Sequence, residues 1–128
     1  PSEHTIGGKS FDAEIHFVFV PAANTAGTGP VIGVMLEGSS SADNAFLQQF
    51  WPHFDNEEHE LDHAIDPYAQ FFPGSGGGHD GGAKKYSSYY QYSGSYTTPG
   101  CNEGIPWILF TNPVQISFNQ LNQYKHAL

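Results

Sequence analysis

The stretch DAEIHFVFV at residues 12–20 decides the fold of this chain. Its second half is rich in β-branched and aromatic residues, which favour a strand. Because side chains alternate across a strand, every second side chain from Ala13 to Phe19 is predicted to share a core face. Glu14 and His16 then lie together on the opposite face. An ionisable pair among apolar neighbours needs partners, which leaves two interpretations: a hydrogen-bonded structural histidine, or a metal ligand with a supporting carboxylate.

The composition indicates one small β-rich domain. Among 128 residues, ten Phe and seven Tyr supply a core, whereas 15 Gly and nine Pro predict many turns and few long helices. Thirteen acidic residues against four basic ones give a net charge of −9. So acidic a chain is a poor ligand for nucleic-acid phosphates or anionic membrane surfaces. The charge therefore argues against a nucleic-acid partner. No apolar run reaches the roughly 20 residues of a membrane helix, so no membrane span is expected either.

Further strands follow along the chain. Gly7-Gly8 predicts a turn that leads into the first strand. The run at 30–37 is almost continuously apolar, which is typical of a strand buried on both faces, and Gly33 within it indicates a bulge or a close backbone approach. The predicted strands, with one short extended piece at the end, are 12–20, 30–37, 88–92, 106–111 and 113–116.

Two helices and one loop complete the predicted elements. Apolar residues at helical spacing predict a short amphipathic helix over about 42–51. Ser117-Phe118-Asn119-Gln120 matches a capping box, which begins a final helix over 118–126. The Gly-rich residues 74–85 have the composition of a flexible surface loop.

The segment His59-Glu60-Leu61-Asp62-His63 matches the H-E-x-x-H pattern of zinc metalloproteases, in which two histidines on one helix face bind zinc. Its neighbours are polar, so it lacks the apolar face with which a catalytic zinc helix packs into a protein. A surface metal site and a solvated acidic segment are the alternatives. The other histidines in polar or Gly-rich surroundings, His53, His79 and His126, are predicted to be surface residues.

Two adjacent threonines, Thr97 and Thr98, lie in a Gly- and Pro-constrained turn between aromatic and apolar residues. Such a turn places two hydroxyl groups at fixed positions, although it also suits hydroxyls that bond only to their own backbone. Cys101 follows as the single cysteine. A lone cysteine is open to three interpretations: a buried thiol, a reactive thiol, or half of a disulfide.

In order and spacing, these blocks resemble the α-class carbonic anhydrases, apart from an enlarged region at 52–85. SEHTI at 2–6 is similar to the family's run before its third zinc ligand, and AEIHFV at 13–18 to the ligand strand. YQYSGSYTTP at 90–99 resembles the family's hydroxyl-bearing loop. The remaining matches are VIGVMLE at 31–37, WILF at 107–110 and FNQL at 118–121.

The resemblance implies a mainly β fold: a large twisted, mostly antiparallel central sheet with a few short helices, here incomplete at the N-terminus. Residues 1–128 would form the C-terminal part of a single α-carbonic-anhydrase-like domain. The family's first two zinc histidines, on a His-x-His strand, would lie before Pro1. The expected partner is therefore the N-terminal half of the same domain or another chain, which would cover the open sheet edges.

The resemblance also implies a site. His16 matches the third ligand of Zn²⁺, and Glu14 and His4 match the residues that support it. Thr97 matches a hydroxyl that orients the attacking water and passes its own proton to a buried glutamate, here Glu3. The apolar wall that holds CO₂ in the family matches Val18, Val31, Tyr96, Ile105 and Trp107, with Thr98 beside it.

The implied function is zinc-dependent, reversible hydration of CO₂ to bicarbonate and a proton. Two alternatives remain: a catalytically inactive carbonic-anhydrase-like structural or assembly subunit, and a zinc metalloprotease that uses residues 59–63.

Three positions qualify that function. Tyr96 stands where the family usually has Leu, and a larger ring is expected to crowd CO₂ and slow turnover. Gly100 replaces the second proline of the family's Thr-Thr-Pro-Pro. Cys101 matches a cysteine of extracytoplasmic members whose disulfide partner lies in the N-terminal half. The resemblance therefore implies half of a disulfide and an extracytoplasmic location, whether secreted, periplasmic or in an organelle lumen.

Overall fold

The structure is a computed structural model, and it describes residues 1–20, 29–53, 59–67 and 88–127. The strands are β1 (Ala13–Val18), β2 (Val31–Ser39), β3 (Tyr89–Ser95), β4 (Glu103–Phe110) and β5 (Val114–Ser117). Two short 3₁₀ helices (Leu47–Gln49 and Trp51–His53) follow β2, and helix α1 (Phe118–Ala127) follows β5. The prediction of a mainly β fold with short helices is confirmed. The loop predicted at 74–85, with His79, lies outside the described residues.

The strands form one five-stranded sheet in the order β1-β2-β4-β3, and β5 also pairs with β2. β1 pairs antiparallel with β2, from Ala13 opposite Leu36 to Val18 opposite Val31, and β3 pairs antiparallel with β4. β4 and β5 lie parallel to the first and last parts of β2. The sheet is therefore mixed, and its longer ladders are antiparallel. Within the described ranges, no helix has the length and apolar character needed to cross a membrane.

The sheet separates two layers of side chains. On one face, Ala13, Ile15 and Phe17 pack in the largest core cluster, which also contains Trp51 and Leu121 from the helical segments. This confirms the core face predicted from the alternation in β1. The opposite face carries two smaller clusters, Phe11 with Met35 and Leu109, and Val31 with Ile105 and Trp107. Glu14 and His16 lie on this second face, since they alternate with the core residues of β1.

Glycine shapes this second face at two places. Ile6 and Lys9 exchange two backbone hydrogen bonds of 3.0 Å across Gly7 and Gly8. The φ angles of these glycines, +58° and +79°, suit a tight hairpin turn, which confirms the prediction. At Gly33, an added Cβ would lie 2.8 Å from Leu109 Cδ1 and 3.2 Å from Glu14 Oε1. The prediction of a bulge or a close backbone approach is wrong, because the nearest groups are side chains and the β1–β2 register runs unbroken through Gly33. The missing Cβ instead makes room for the Glu14 carboxylate over β2.

The prediction of an amphipathic helix over 42–51 is wrong, because the structure has two 3₁₀ helices from Leu47 onward. From Gln49 onward the backbone hydrogen bonds are of the 3₁₀ type, since the Gln49 amide donates to the Phe46 carbonyl at 3.3 Å and the Phe50 amide to the Leu47 carbonyl at 3.1 Å. Pro52 lacks the amide that an α-helical ladder would need there. Leu47 and Trp51 are buried nonetheless. The apolar spacing therefore identified the residues that reach the core but not the type of helix.

The capping box at the start of α1 is confirmed. The Gln120 amide donates to Ser117 Oγ at 3.0 Å, and the Ser117 amide donates back to Gln120 Oε1 at 3.4 Å. Gln120 is fully buried, and its Nε2 also donates to the Asn44 carbonyl at 3.2 Å. One amide side chain thus caps the helix and fixes the segment before the 3₁₀ helices.

Replacing Gln120 with alanine is expected to lower the free energy of unfolding by about 2–3 kcal/mol, because the buried amide of Ser117 and the part-buried amide of Asn44 lose their acceptor. Urea unfolding followed by circular dichroism measures this change. Asn119→Ala is the matched control, since Asn119 is exposed in the same helical turn. Equal unfolding midpoints for the two variants would contradict the role assigned to Gln120.

Candidate metal centre

The centre is built on a carboxylate–imidazole pair that β1 projects to one face. The Nε2 of His16 lies 2.8 Å from Glu14 Oε1. The side chain of Glu14 is 2% exposed and that of His16 is 21% exposed. Because an ionised carboxylate only accepts hydrogen bonds, the pair assigns the imidazole proton to Nε2 of His16.

His4 reaches Glu14 from the N-terminal segment. Its backbone amide donates to Glu14 Oε2 at 2.8 Å, and its Nδ1 lies 2.6 Å from Oε1. Ser2 holds the segment in place, since its hydroxyl donates to the His4 carbonyl at 2.6 Å and accepts the Phe11 amide at 2.9 Å. Among the described residues, His4, Glu14 and His16 form the one group of three potential ligands whose ligand atoms all lie within 4.8 Å of one another.

The network lowers the pKa of Glu14 to about 2. Burial is the largest effect and acts to raise the pKa. The hydrogen bonds from His16 and from the backbone and ring of His4, together with the His4 charge, outweigh it. Glu14 therefore stays ionised at neutral pH and keeps the proton on Nε2 of His16. In the part of the chain that the structure describes, no hydrogen bond involves the other ring nitrogen, Nδ1, which leaves that atom free to bind a metal.

Tyr92 extends the network, and sequence reasoning missed it. Its hydroxyl lies 2.5 Å from Nε2 of His4, and its ring stacks on Trp107 with 6.0 Å between centroids and 9° between planes. Burial, and secondarily the negative charge of Glu14, raises the pKa of Tyr92. In the neutral tautomer of His4 whose Nδ1–H points to Glu14, Nε2 is an acceptor for the tyrosine hydroxyl, whereas the protonated ring donates to the tyrosine oxygen. The contact joins residues 88 apart, and no local pattern in the sequence signals it.

An apolar wall adjoins the histidines. Val31, Ile105 and Trp107 form a buried cluster, and Tyr96 packs against it. The Trp107 ring meets the rings of His16 and His4 edge-on, with centroids 4.8 Å and 5.0 Å apart. Four residues assigned to the substrate wall are thus in one place. The other two are exposed: Val18 stands opposite Val31 and is 52% exposed, and Thr98 lies two residues after Tyr96 in the turn.

The residues predicted to handle the proton lie at the surface. Thr97 and Glu3 are exposed, and Glu3 Oε2 lies 4.0 Å from His16 Nε2. No hydrogen bond links Thr97 to Glu3 within residues 1–20 and 88–127, so their coupling stays a prediction. The turn after Thr97 is closed by the Cys101 amide, which donates to the Thr98 carbonyl at 3.0 Å. Cys101 is exposed and free among the described residues, so the disulfide also stays a prediction.

The structure does not support a metalloprotease site at residues 59–63. The segment is irregular rather than helical, so His59 and His63 do not share a helix face. Nδ1 of His63 lies 2.6 Å from Asp62 Oδ1, whereas the His59 ring lies against His53. Both histidines are exposed, as are His53 and His126, which were predicted to be surface residues.

Comparisons with known proteins agree with this geometry. The family model for eukaryotic-type carbonic anhydrase matches residues 1–128. The chain is 33% identical to a carbonic anhydrase of Pectobacterium atrosepticum, over 100% of this chain and 47% of that protein. It is 34% identical to carbonic anhydrase 12 of Homo sapiens, over 99% of this chain and 36% of that protein.

Among solved structures, the chain resembles the α-carbonic anhydrase of Thermovibrio ammonificans in complex with the inhibitor sulfanilamide. The two superimpose with a TM-score of 0.71 at 32% identity, and the match covers 99% of this chain and 50% of that one. The chain thus spans at most about half the length of these relatives.

Proposed function

Because the chain belongs to the eukaryotic-type carbonic anhydrase family, we propose that it supplies one zinc ligand, His16, to an enzyme that reversibly hydrates CO₂ to bicarbonate and a proton. The observation that carries the proposal is the hydrogen bond between Glu14 and His16, which orients the imidazole beside an apolar wall. A neutral imidazole nitrogen is a ligand that suits zinc, and carboxylate support of a ligating histidine is the usual arrangement.

One imidazole does not complete a zinc site, so the other ligands come from the N-terminal half of the same domain or from another chain. Two observations support this. The chain covers 47% of its bacterial relative. In addition, β1 lies at the edge of the described sheet, with β2 on one side only, which leaves its outer edge open to a further strand next to His16. We call the chain together with this segment the completed domain.

When bound, zinc held by three neutral imidazoles lowers the pKa of water to about 7 and so supplies a nucleophile at neutral pH; carbonic anhydrases are the reference case for that value. Glu14 holds the His16 ring in the required tautomer. Val31, Ile105 and Trp107 form an apolar surface against which an uncharged substrate can lie without leaving a charged group unsolvated. We assign Thr97, next to Tyr96 of the wall, to orienting the attacking water.

Two parts of the assignment concern the surroundings of the site. Glu3 accepts the hydrogen bond that the Thr97 hydroxyl donates, an assignment supported by the position of its carboxylate 4.0 Å from the His16 ring. Cys101 pairs with a cysteine of the completing segment in an oxidising, extracytoplasmic setting, an assignment supported by its exposure.

Zinc analysis and a CO₂ hydration assay on the completed domain test the proposal. We expect one zinc ion per domain and hydration activity that sulfanilamide, the inhibitor bound in the Thermovibrio relative, abolishes. A completed domain that folds but neither binds zinc nor hydrates CO₂ would instead establish the structural-subunit alternative.

Replacing Tyr96 with leucine is expected to raise kcat/KM for CO₂ about three- to tenfold, because the smaller side chain opens the wall formed with Ile105 and Trp107. Stopped-flow CO₂ hydration measures the change. Tyr90→Leu is the matched control, since Tyr90 lies on β3 with 56% exposure and outside the wall. An unchanged kcat/KM for the Tyr96 variant would show that the ring does not crowd the substrate.

A further inference from the structure

Four side chains form a continuous series of hydrogen bonds that ends at the proposed zinc ligand. The hydroxyl of Tyr92 lies 2.5 Å from Nε2 of His4, and Nδ1 of the same ring lies 2.6 Å from Glu14 Oε1. Glu14 Oε1 in turn lies 2.8 Å from Nε2 of His16. The proposed function assigns roles to His16 and Glu14 but none to Tyr92, which stands at the far end of the series.

The ring of Tyr92 is held by packing that does not involve its hydroxyl. Tyr92 lies opposite Trp107 in the β3–β4 ladder, and the two rings stack with their planes inclined by 9°. Gly94 makes room for this stack, since an added Cβ would lie 2.8 Å from Tyr92 Cε2 and 3.2 Å from Trp107 Cδ1. Trp107 is buried, and its indole N–H donates to the Ser95 carbonyl at 3.0 Å. Two paired strands therefore fix where the hydroxyl lies, and groups on such rigid elements position their partners precisely.

The hydroxyl constrains a ring that comes from an irregular segment. The side chain of His4 is 20% exposed, and its two ring nitrogens are held from opposite sides by Tyr92 and Glu14, which prevents the ring from turning. On the neutral ring, a hydroxyl that donates to Nε2 favours the tautomer with its proton on Nδ1, which is the one that donates to Glu14. Burial raises the pKa of Tyr92, and the negative charge of Glu14 raises it further, so the hydroxyl keeps its proton at neutral pH.

His4 in turn determines where one oxygen of Glu14 lies. The His4 backbone amide anchors Oε2 at 2.8 Å, whereas Oε1 is shared by the rings of His4 and His16. If the His4 ring turned away, the His16 ring alone would hold Oε1 among the described residues, and the carboxylate could rotate together with that ring. The metal-binding Nδ1 of His16 would then be ordered only when a metal binds, and such ordering costs affinity.

We propose that Tyr92 is a positioning residue for the metal ligand His16 and acts through His4 and Glu14. The inference rests on the proposed function, since it concerns the same zinc ligand. Loss of a residue that supports a metal ligand directly costs about 10–100-fold in affinity or activity. Tyr92 acts through two intervening residues, so we expect its hydroxyl to contribute about three- to tenfold in zinc affinity, which is what one hydrogen bond supplies.

Tyr92→Phe in the completed domain tests the proposal, because it removes the hydroxyl and keeps the ring that stacks on Trp107. Competition with a zinc chelator is expected to show zinc binding about three- to tenfold weaker than in the wild type. Tyr90→Phe is the matched control, since it removes the hydroxyl of an exposed tyrosine on the same strand and is expected to keep the wild-type affinity. Equal zinc affinity in the wild type and Tyr92→Phe would overturn the proposal.

A double-mutant cycle distinguishes an effect through His4 from a general loss of packing. Because the hydroxyl acts on the His4 ring, Tyr92→Phe is expected to cause no further loss of zinc affinity in a His4→Ala background. The same loss in both backgrounds would show that the hydroxyl acts by another route, which contradicts the proposal.

A measurement on the metal-free completed domain separates failure of this inference from failure of the proposed function. The nitrogen NMR signals of the neutral His4 ring are expected to show its proton on Nδ1. Tyr92→Phe is expected to shift the ring signals of both His4 and His16, whereas Tyr90→Phe leaves them unchanged. Unchanged signals in Tyr92→Phe would overturn the inference whether or not zinc binds. Shifted signals in a domain whose wild type binds no zinc would overturn the proposed function but support the positioning of His16 by Tyr92.

Discussion

Replacing His16 with alanine is expected to abolish stoichiometric zinc binding by the completed domain and, with it, CO₂ hydration. The loss of a residue that only supports a metal ligand costs about 10–100-fold in affinity or activity, and the loss of a direct ligand is expected to cost more. Among the described residues, no other imidazole is placed to replace that of His16. The ring of His4, its closest imidazole, bonds to Glu14 through Nδ1 and to Tyr92 through Nε2, so neither nitrogen is free.

A matched set of variants separates loss of the ligand from loss of the fold. His16 packs edge-on against Trp107, so alanine also removes a contact, whereas His16→Gln keeps most of the side-chain volume without the imidazole. Both variants are expected to lose zinc, measured by atomic absorption, while His126→Ala keeps it. Full zinc occupancy in His16→Gln would show that the metal binds elsewhere. Thermal unfolding of each variant shows how much of any loss arises from the missing packing contact.

The sequence predicted those elements of the fold that local patterns determine. Alternation in β1 identified its core face, and the Ser117–Gln120 pattern identified both hydrogen bonds of the cap. At 42–51 the apolar spacing identified the buried Leu47 and Trp51 but not the helix type, because such spacing does not distinguish α from 3₁₀ hydrogen bonds over so few residues and Pro52 removes an amide donor. Strand order is likewise non-local: the two strands parallel to β2 come from distant parts of the chain.

The site was predictable to a similar extent. Glu14 and His16 are two residues apart on one strand, so alternation alone brought them to one face. His4 is ten residues from Glu14, and its place depended on the family resemblance. Tyr92 matched neither a pattern nor a family role, because its contact with His4 exists only once β3 pairs with β4.

Replacing Glu14 with glutamine is expected to destabilise the metal-free protein strongly at neutral pH. A carboxylate that accepts hydrogen bonds from His16 and from two groups of His4 becomes an amide whose NH₂ faces donors. The size of the expected loss of stability follows from the lowered pKa of Glu14. A fall from the ordinary value of 4.5 to about 2 corresponds to about 3 kcal/mol of stability contributed by the ionised form at pH 7.

The sign of the pH dependence follows from the direction of that shift. Because the folded-state pKa is below the unfolded one, the contribution is complete above about pH 4.5 and is lost as the pH falls through about 2. The difference in unfolding free energy between wild type and Glu14→Gln should therefore shrink by about half between pH 7 and pH 3. Urea titrations at the two pH values measure this difference in unfolding free energy. Subtracting the two proteins cancels the contributions of Glu37 and Asp62, whose lowered pKa values both proteins share.

Glu103→Gln, at an exposed glutamate, is the control, and we expect it to show no comparable loss of stability at pH 7. A difference for Glu14→Gln that stays the same from pH 7 to pH 3 would show that the ionised carboxylate does not hold His4 and His16 together.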